Sequence, residues 1–528
     1  MGPMPIDETV ARRPNVLFII CDQLRADHLG FAGNHVVRTP NIDSLAVRGT
    51  VFDNAWVANP VCMPNRSTLM TGRMPTAHGV VFNDRSLDWG ANTYVRSFRD
   101  AGYRTALLGK SHLQNGLSRN ATIATNRAPV TVDPWPAGWN HLEDAELYVD
   151  GLPEWPDDFY GFDHVRLSID HGSRITGHHL QWALDRGGRS EDLLVPMSDE
   201  SPARRRSERW WQIYQPPYDP ELHSTTFVTE QTIEFIEHAV TQEQPWLAWA
   251  SFPDPHHPMA PPGEWFDRHD PGDMELPSTL DDRLEFAPDY LRRIHATPAS
   301  EQLTWVSGFG AIDHEMLREA IAATYGMVEM IDEGVGKMLA AIDRLGQTDN
   351  TIVVFTTDHG DMMGDHGLMI KGFMHYRGTL QVPLVIVDPT KAASRTSAMA
   401  GSIDVAPTLL DLAGLRPYDG IQGRSLVPVL EDPDTTVRSH VLIEDDISTA
   451  LARYVPIPEK TRTVIGDDGT KYTRHSTGEE QLFDLVADPD EMSPIHLLDT
   501  DRRARALELL AVALIEADDN ARGAPTRS

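Results

Sequence analysis

Two runs, 16–21 (VLFIIC) and 351–357 (TIVVFTT), show no regular alternation of polar and apolar positions, and each is followed at once by acid: Asp22 after the first, Asp358-His359 after the second. A strand with one wet face alternates. A strand that does not is buried on both faces, as in a parallel sheet covered by helices on either side. Segments 51–57, 103–109, 246–252 and 382–387 read as further strands, and helical periodicity occupies 92–101, 225–240, 315–345 and 404–412 between them. Asn41 is expected to cap another helix that stops near Gly49, and the long helix is expected to break near Gly326 and Gly334. The fold class is therefore α/β, with a large, mainly parallel sheet flanked by helices.

The rhythm is lost over about 113–222, a Trp-, Pro-, Gly- and Arg-rich stretch too long for a plain loop. It reads as an insertion packed over the site, serving as a lid, as a source of substrate contacts, or as surface elaboration. Beyond residue 430, short strands at 440–444, 463–465, 471–474 and 481–485 surround the turn signal Gly466-Asp467-Asp468-Gly469, and a helix over 502–516 follows. The expected organisation is a catalytic domain over 1–430 and a C-terminal subdomain over 431–528, built as a small antiparallel sheet plus helix.

The formal charge of −32 over 528 residues argues against general binding to nucleic acid or to an anionic membrane. An anionic substrate would then need a locally positive site, which favours a bound metal and a few gathered cations. Residues 1–14 lack the apolar core of a signal peptide, and the run 16–21 is too short to span a bilayer, so a cytoplasmic location is expected. Two cysteines in the chain match the usage of a reducing compartment and disfavour a Cys21–Cys62 disulfide.

In an open parallel sheet, ligands collect outside the carboxyl ends of the strands. Asp22, Lys110, His256 and the pair Asp358-His359 all stand at such ends, and the turn carrying Cys62 follows its own strand. The order Cys62-x-Pro64-x-Arg66 before a short apolar stretch places Cys62 at the start of a helix, with Pro64 in its first turn. Helix N–H groups and the Arg66 fork there make a cradle for a sulfate, phosphate or phosphonate group. A lone cysteine is as readily a small buried hydrophobe. A cysteine phosphatase would need arginine six places on, where Thr68 stands. Asp22, Gln23, Asp358 and His359 form a mostly oxygen-donor set suited to calcium, magnesium or manganese, for which a thiolate is a poor partner. A thiol oxidised to an aldehyde and hydrated would offer two oxygens, one for the metal and one for attack.

The run CMPNRSTLMTGR resembles the signature of the sulfatase family within the alkaline-phosphatase superfamily, whose cysteine becomes formylglycine. The likeness extends to NVLFIICDQLRADHLG, LLGKSHL, PHHP, TTDHGDMMGDHG, IKGFMHYRGTLQVPLVI and EEQLFDLVADPDE, and spares the stretch 113–222. It implies an alkaline-phosphatase-like fold and one divalent metal, calcium first with manganese or magnesium as alternatives. The implied metal ligands are Asp22, Gln23, residue 62 as formylglycine, Asp358 and His359. Arg66 would hold the hydrate and ester oxygens, Lys110 and Lys371 the sulfate-type oxygens, and His112 and His256 would assist proton transfer. Many sulfatases carry a second aspartate where Gln23 stands; glutamine there resembles the phosphonate monoester hydrolase branch and its arylsulfatase relatives. The expected function is hydrolysis of sulfate monoesters, with phosphonate monoesters or phosphate diesters as the alternative and a non-catalytic binding protein as the rival of another class. The implied partners are a small-molecule ester and a formylglycine-generating enzyme, with no nucleic acid or membrane; a homo-oligomer is left open.

Overall fold

The computed structural model describes residues 13–114, 135, 138–169, 171–196, 198–301, 308–311, 313–447 and 457–518. The first twelve residues, part of the stretch read for a leader, and parts of 113–222 lie outside the described residues. The main sheet is built, in chain order, from β1 (Asn15–Cys21), β2 (Thr50–Trp56), β3 (Arg104–Gly109), β4 (His164–Ile169), β5 (Thr176–Gly177), β6 (Trp246–Ser251), β7 (Thr351–Thr357), β8 (Leu384–Val387) and β9 (Ser394–Gly401). Among the described residues its order is β9-β2-β8-β7-β1-β6-β3-β4-β5. β8 runs antiparallel to both neighbours and β5 antiparallel to β4, while the remaining pairs are parallel.

Register positions the site. Cys21 pairs with Thr357, Ile20 with Ser251, and Gly109 with Ser251, so β1, β7, β6 and β3 end at nearly one level. The next residues, Asp22, Asp358 and Lys110, leave the sheet side by side. Alternate residues of β1 enter opposite cores: Leu17 and Ile19 pack with the helices α4 (Ser224–Thr241) and α5 (His314–Arg344), whereas Phe18 and Ile20 pack on the side of α2 (Cys62–Thr71), α3 (Tyr94–Asp100) and α6 (Val405–Leu412). Burial of each such side chain contributes about 1.5–3 kcal/mol, which anchors the strands whose ends carry the chemistry.

Several local expectations are corrected. The long helix runs unbroken. A Cβ at Gly326 would stand 2.2 Å from the Trp265 carbonyl oxygen and one at Gly334 2.4 Å from Thr229 Oγ1, so these glycines permit close packing rather than a break. The helix α1 (Pro40–Arg48) begins before Asn41, and its N-terminus is capped from outside. Asp332 on α5 accepts from the backbone nitrogens of Asn41 and Ile42 at 3.0 and 2.8 Å. The stretch without rhythm supplies β4 and the edge strand β5, and the polar sequence 394–401 forms the other edge, β9, because edge strands need no double-sided apolar pattern.

The C-terminal sheet follows the order β10 (His440–Asp446), β11 (Lys460–Gly466), β12 (Thr470–His475), β13 (Glu480–Asp484), antiparallel throughout. Helix α7 (Thr500–Glu516) packs on it through Ala506, Leu510 and Ala513. Among the described residues, no helix is long and apolar enough to cross a membrane.

Candidate active site

Cys62 is the first residue of α2, a helix whose ten residues are all buried and which ends where Gly72 turns left-handed at φ 61°. The approach to the helix is braced. Asn59 Oδ1 accepts from the backbone nitrogen of Val61 at 2.8 Å, and Asn83 Oδ1 accepts from that of Met63 at 3.0 Å. Cys62 and Cys21 are both buried free thiols.

Around Cys62 Sγ the strand-end residues converge. His359 Nε2 lies 3.2 Å away, Asp22 Oδ1 3.8 Å away, and Lys371 Nζ donates to the sulfur at 2.9 Å. Asp22, Cys62, Asp358 and His359 each turn a ligand atom into a region where all lie within 4.8 Å of one another. Asp22 Oδ1 and Asp358 Oδ1 both stand 3.6 Å from His359 Nε2, while the second oxygen of each carboxylate is taken by a cation. Lys110 Nζ holds Asp22 Oδ2, and Arg66 Nε holds Asp358 Oδ2 at 2.7 Å. His359 Nδ1 donates to the Gly360 carbonyl at 2.9 Å, so Nε2 carries the lone pair toward the centre. The Asp22 and Asp358 oxygens and the His359 nitrogen fit a hard divalent cation, whereas the unmodified Cys62 thiol does not.

Gln23 stands beside it with φ 65°. Its backbone nitrogen donates to Asp358 Oδ1 at 3.1 Å, its amide nitrogen contacts Asp361 and, at 2.9 Å, His257 Nδ1, and its buried Oε1 has no hydrogen-bond partner. An orphaned amide oxygen here is available to a cation.

The structure brings Asp22, Gln23, Cys62, Arg66, Lys110, His256, Asp358, His359 and Lys371 to this place, with changes of emphasis, while His112 is fixed beside it through its backbone. Arg66 is chiefly a brace: Nη1 donates to Ser251 Oγ at 2.9 Å and to the Lys110 carbonyl at 3.2 Å, and only Nη2 has no hydrogen-bond partner. Lys371 also contacts His359 Nε2 at 3.1 Å. His112, with φ 56°, is held by Glu143, whose carboxylate accepts from the backbone nitrogens of His112, Leu113 and Gln114 at 2.6, 2.9 and 2.9 Å. His256 is buried and stacks on His257 at 4.1 Å.

Sequence reasoning missed His171. It is buried, stacks on His256 at 3.9 Å and 14°, accepts from Lys110 Nζ at 3.2 Å, and shares a second cluster with Asp22 and His256. A signal existed. The stretch 164–169 alternates and ends in Asp170-His171-Gly172, the same tripeptide as Asp358-His359-Gly360 at the end of β7.

Electrostatics separates the roles. Burial and Asp22 push the Cys62 thiol up, but Lys110, Lys371 and His359 outweigh them and hold it below its ordinary value. Burial also opposes the charge on Asp22, yet Lys110, Lys371 and Arg66 hold it well below the usual carboxylate range. Burial opposes the charge on both His359 and Lys371, but Asp358 and Cys62 together raise the first, and Cys62, Asp22 and Asp358 together raise the second. Burial lowers His112, His256 and His171 far below the ordinary imidazole value, helped by Lys110 in all three. In this cluster Arg66, Lys110 and Lys371 face Asp22 and Asp358, a local positive excess inside an acidic chain.

Two family descriptions match the chain: Sulfatase over residues 14–415, and N-sulphoglucosamine sulphohydrolase, C-terminal, over 364–516. An arylsulfatase of Clostridium perfringens is 28% identical over 511 residues, covering 96% of this chain and 94% of that protein. A choline-sulfatase of Rhizobium meliloti is 27% identical, covering 91% of this chain and 82% of the relative. The crystal structure of the phosphonate monoester hydrolase of Agrobacterium radiobacter superposes with a TM-score of 0.75 at 26% identity, covering 96% of both chains.

Proposed function

The chain belongs to the sulfatase family, hydrolases of sulfate esters, and we propose on that footing that it cleaves aryl or related sulfate monoesters with a formylglycine made from Cys62. The observation that carries the reading is the meeting of residue 62 with Asp22, Asp358, His359 and Lys371 at the N-terminus of α2. A separate maturation enzyme would oxidise the thiol, and the hydrated aldehyde would supply the nucleophilic oxygen. A divalent cation, calcium first with manganese or magnesium as alternatives, would be held by Asp22, Gln23, Asp358 and His359 and would supply Lewis-acid stabilisation of negative charge on that oxygen.

The chain's own residues do the rest. Lys371, within hydrogen-bond reach of position 62, meets charge on the nucleophile or on a transferring oxygen. Arg66 holds the Asp358 carboxylate in its orientation and has Nη2 for an ester oxygen. Lys110 lies across Asp22 from the same centre and binds a second oxygen. His256, kept uncharged by burial and by Lys371, can accept a proton from the hydrate or pass one to the leaving alcohol. The buried setting strengthens each of these interactions by excluding water.

A second reading, hydrolysis of phosphonate monoesters or phosphate diesters, is favoured by Gln23, which leaves the donor set one charge weaker than a pair of aspartates. Both substrate classes are singly charged and tetrahedral. The test is a matched panel of 4-nitrophenyl sulfate, 4-nitrophenyl phenylphosphonate and bis(4-nitrophenyl) phosphate on metal-loaded protein whose conversion at position 62 is verified by peptide mass spectrometry. A higher kcat/KM for the sulfate is expected, and the reverse order selects the second reading. Cys62→Ala is expected to be inactive on all three; an active variant would refute both readings.

A further inference from the structure

We infer that His171 is a positioning residue of this anion site: it fixes the Lys110 ammonium and the ring plane of His256. The inference rests on the functional reading above, in which Lys110 and His256 act on the ester.

An ammonium has three N–H donors and rotates freely unless they are engaged. Two are engaged here, one by Asp22 Oδ2 and one by His171 Nε2 at 3.2 Å. The third then points in a direction set by the other two, toward a substrate oxygen rather than at random. Because Lys110 donates, His171 Nε2 accepts and its proton sits on Nδ1. The same ring lies nearly parallel to His256 at 3.9 Å, and His256 stacks in turn on His257, whose Nδ1 meets Gln23 at 2.9 Å. A closed belt therefore runs from Asp22 through Lys110, His171, His256 and His257 to Gln23.

The loop carrying His171 is seated specifically. Gly172 adopts φ 61°, and a Cβ there would stand 2.7 Å from Tyr214 Oη and 3.2 Å from Pro258 of the His256-His257 loop. Tyr214 Oη also accepts from the Ser173 backbone nitrogen at 3.0 Å. The chain after β4 is thus docked on the loop that carries His256, and a side chain at position 172 would lift it away.

The experiment compares wild type, His171→Ala, His171→Gln and Gly172→Ala as metal-loaded, formylglycine-bearing proteins. It measures the Kd of inorganic sulfate by calorimetry, kcat and KM on aryl sulfates whose phenols differ in acidity, and the melting midpoint. His171→Ala is expected to weaken sulfate binding and to lower kcat/KM by about 10–100-fold, the range typical of residues that orient a catalytic group. The loss should grow as the leaving phenol becomes more basic, at an unchanged midpoint. Glutamine reaches Lys110 with an acceptor but has no ring, so His171→Gln should restore sulfate affinity while keeping the leaving-group sensitivity. Gly172→Ala should reproduce the His171→Ala losses in sulfate affinity and in kcat/KM, with a lowered midpoint from the strain at φ 61°. A folded His171→Ala protein with wild-type Kd and kcat/KM overturns the inference, as does a uniform loss that tracks a lowered midpoint and is not rescued by glutamine. A wild type that neither binds sulfate nor cleaves any ester overturns the functional reading itself, and the inference with it.

Discussion

Position 371 shows how much a single side chain contributes here. Lys371 is buried, yet its ammonium reaches both Cys62 Sγ and His359 Nε2 and lies 3.9 Å from Asp22 Oδ1. Lys371→Ala is expected to lower kcat by about 10²–10³-fold, as removal of one preorganised donor to developing charge typically does, measured by steady-state kinetics on 4-nitrophenyl sulfate. Gln23 can be understood in the same local terms. Its amide nitrogen donates to the Asp361 carboxylate, where an aspartate would set like charge against a buried acid already raised by burial. The neighbourhood therefore accounts physically for an amide at this position.

At the scale of elements, loops are held in uncommon backbone conformations by partners remote in sequence. Ile370 and Phe373, on either side of Lys371, have φ 72° and 62°, a region that a β-branched residue adopts rarely. Asp445 of β10 holds the loop: its Oδ2 accepts from the Phe373 backbone nitrogen at 3.0 Å and contacts His375 Nε2 at 3.3 Å. Asp445→Ala should release Lys371 and lower kcat/KM about 10–100-fold. Asp445→Asn, which keeps an acceptor in place, should recover most of that loss in the same assay. Helix α5 offers a stability prediction away from the site. Glu329 accepts from His269, Arg38 and Arg268 at 2.8–3.1 Å, and His269 and the two arginines outweigh burial to lower it from 4.5 to about 2. A depressed carboxylate stabilises the fold fully above its ordinary value and loses that contribution as pH falls through its folded value. Wild type should therefore lose stability between about pH 4.5 and 2 that Glu329→Gln lacks from the outset, by about 1–3 kcal/mol at neutral pH in denaturant titrations.

For the whole molecule, the charge of −32 and the cluster of carboxylates around residue 62 lead to one expectation about metal. A divalent cation bound only by the folded chain stabilises it by mass action, about 2.7 kcal/mol at a hundredfold excess over Kd. At constant ionic strength, which keeps screening of the overall acidic field fixed, a chelator should lower the melting midpoint and added calcium should restore it. A midpoint indifferent to both would show that the donor set holds no such ion.

The chain by itself determined the sheet's central strands and nearly all of the site, because a strand buried on both faces leaves an unmistakable apolar run and the residue after it must stand at the ligand-binding edge. Asp22, Lys110, Asp358 and His359 were readable on that ground; Pro64 and Arg66 put Cys62 at a helix start, and the resemblance of its run to the sulfatase signature singled it out from a small buried hydrophobe. Tertiary structure decided what depends on contacts between distant segments. His171 comes to His256 only because β4 joins the main sheet beside β3, and Asp445 reaches the Lys371 loop from another sheet. Gly326 and Gly334 lie within an intact helix because neighbouring elements press against it. Local periodicity carries burial and strand ends; it carries no information about which remote atom completes a hydrogen bond or fills the space beside a backbone.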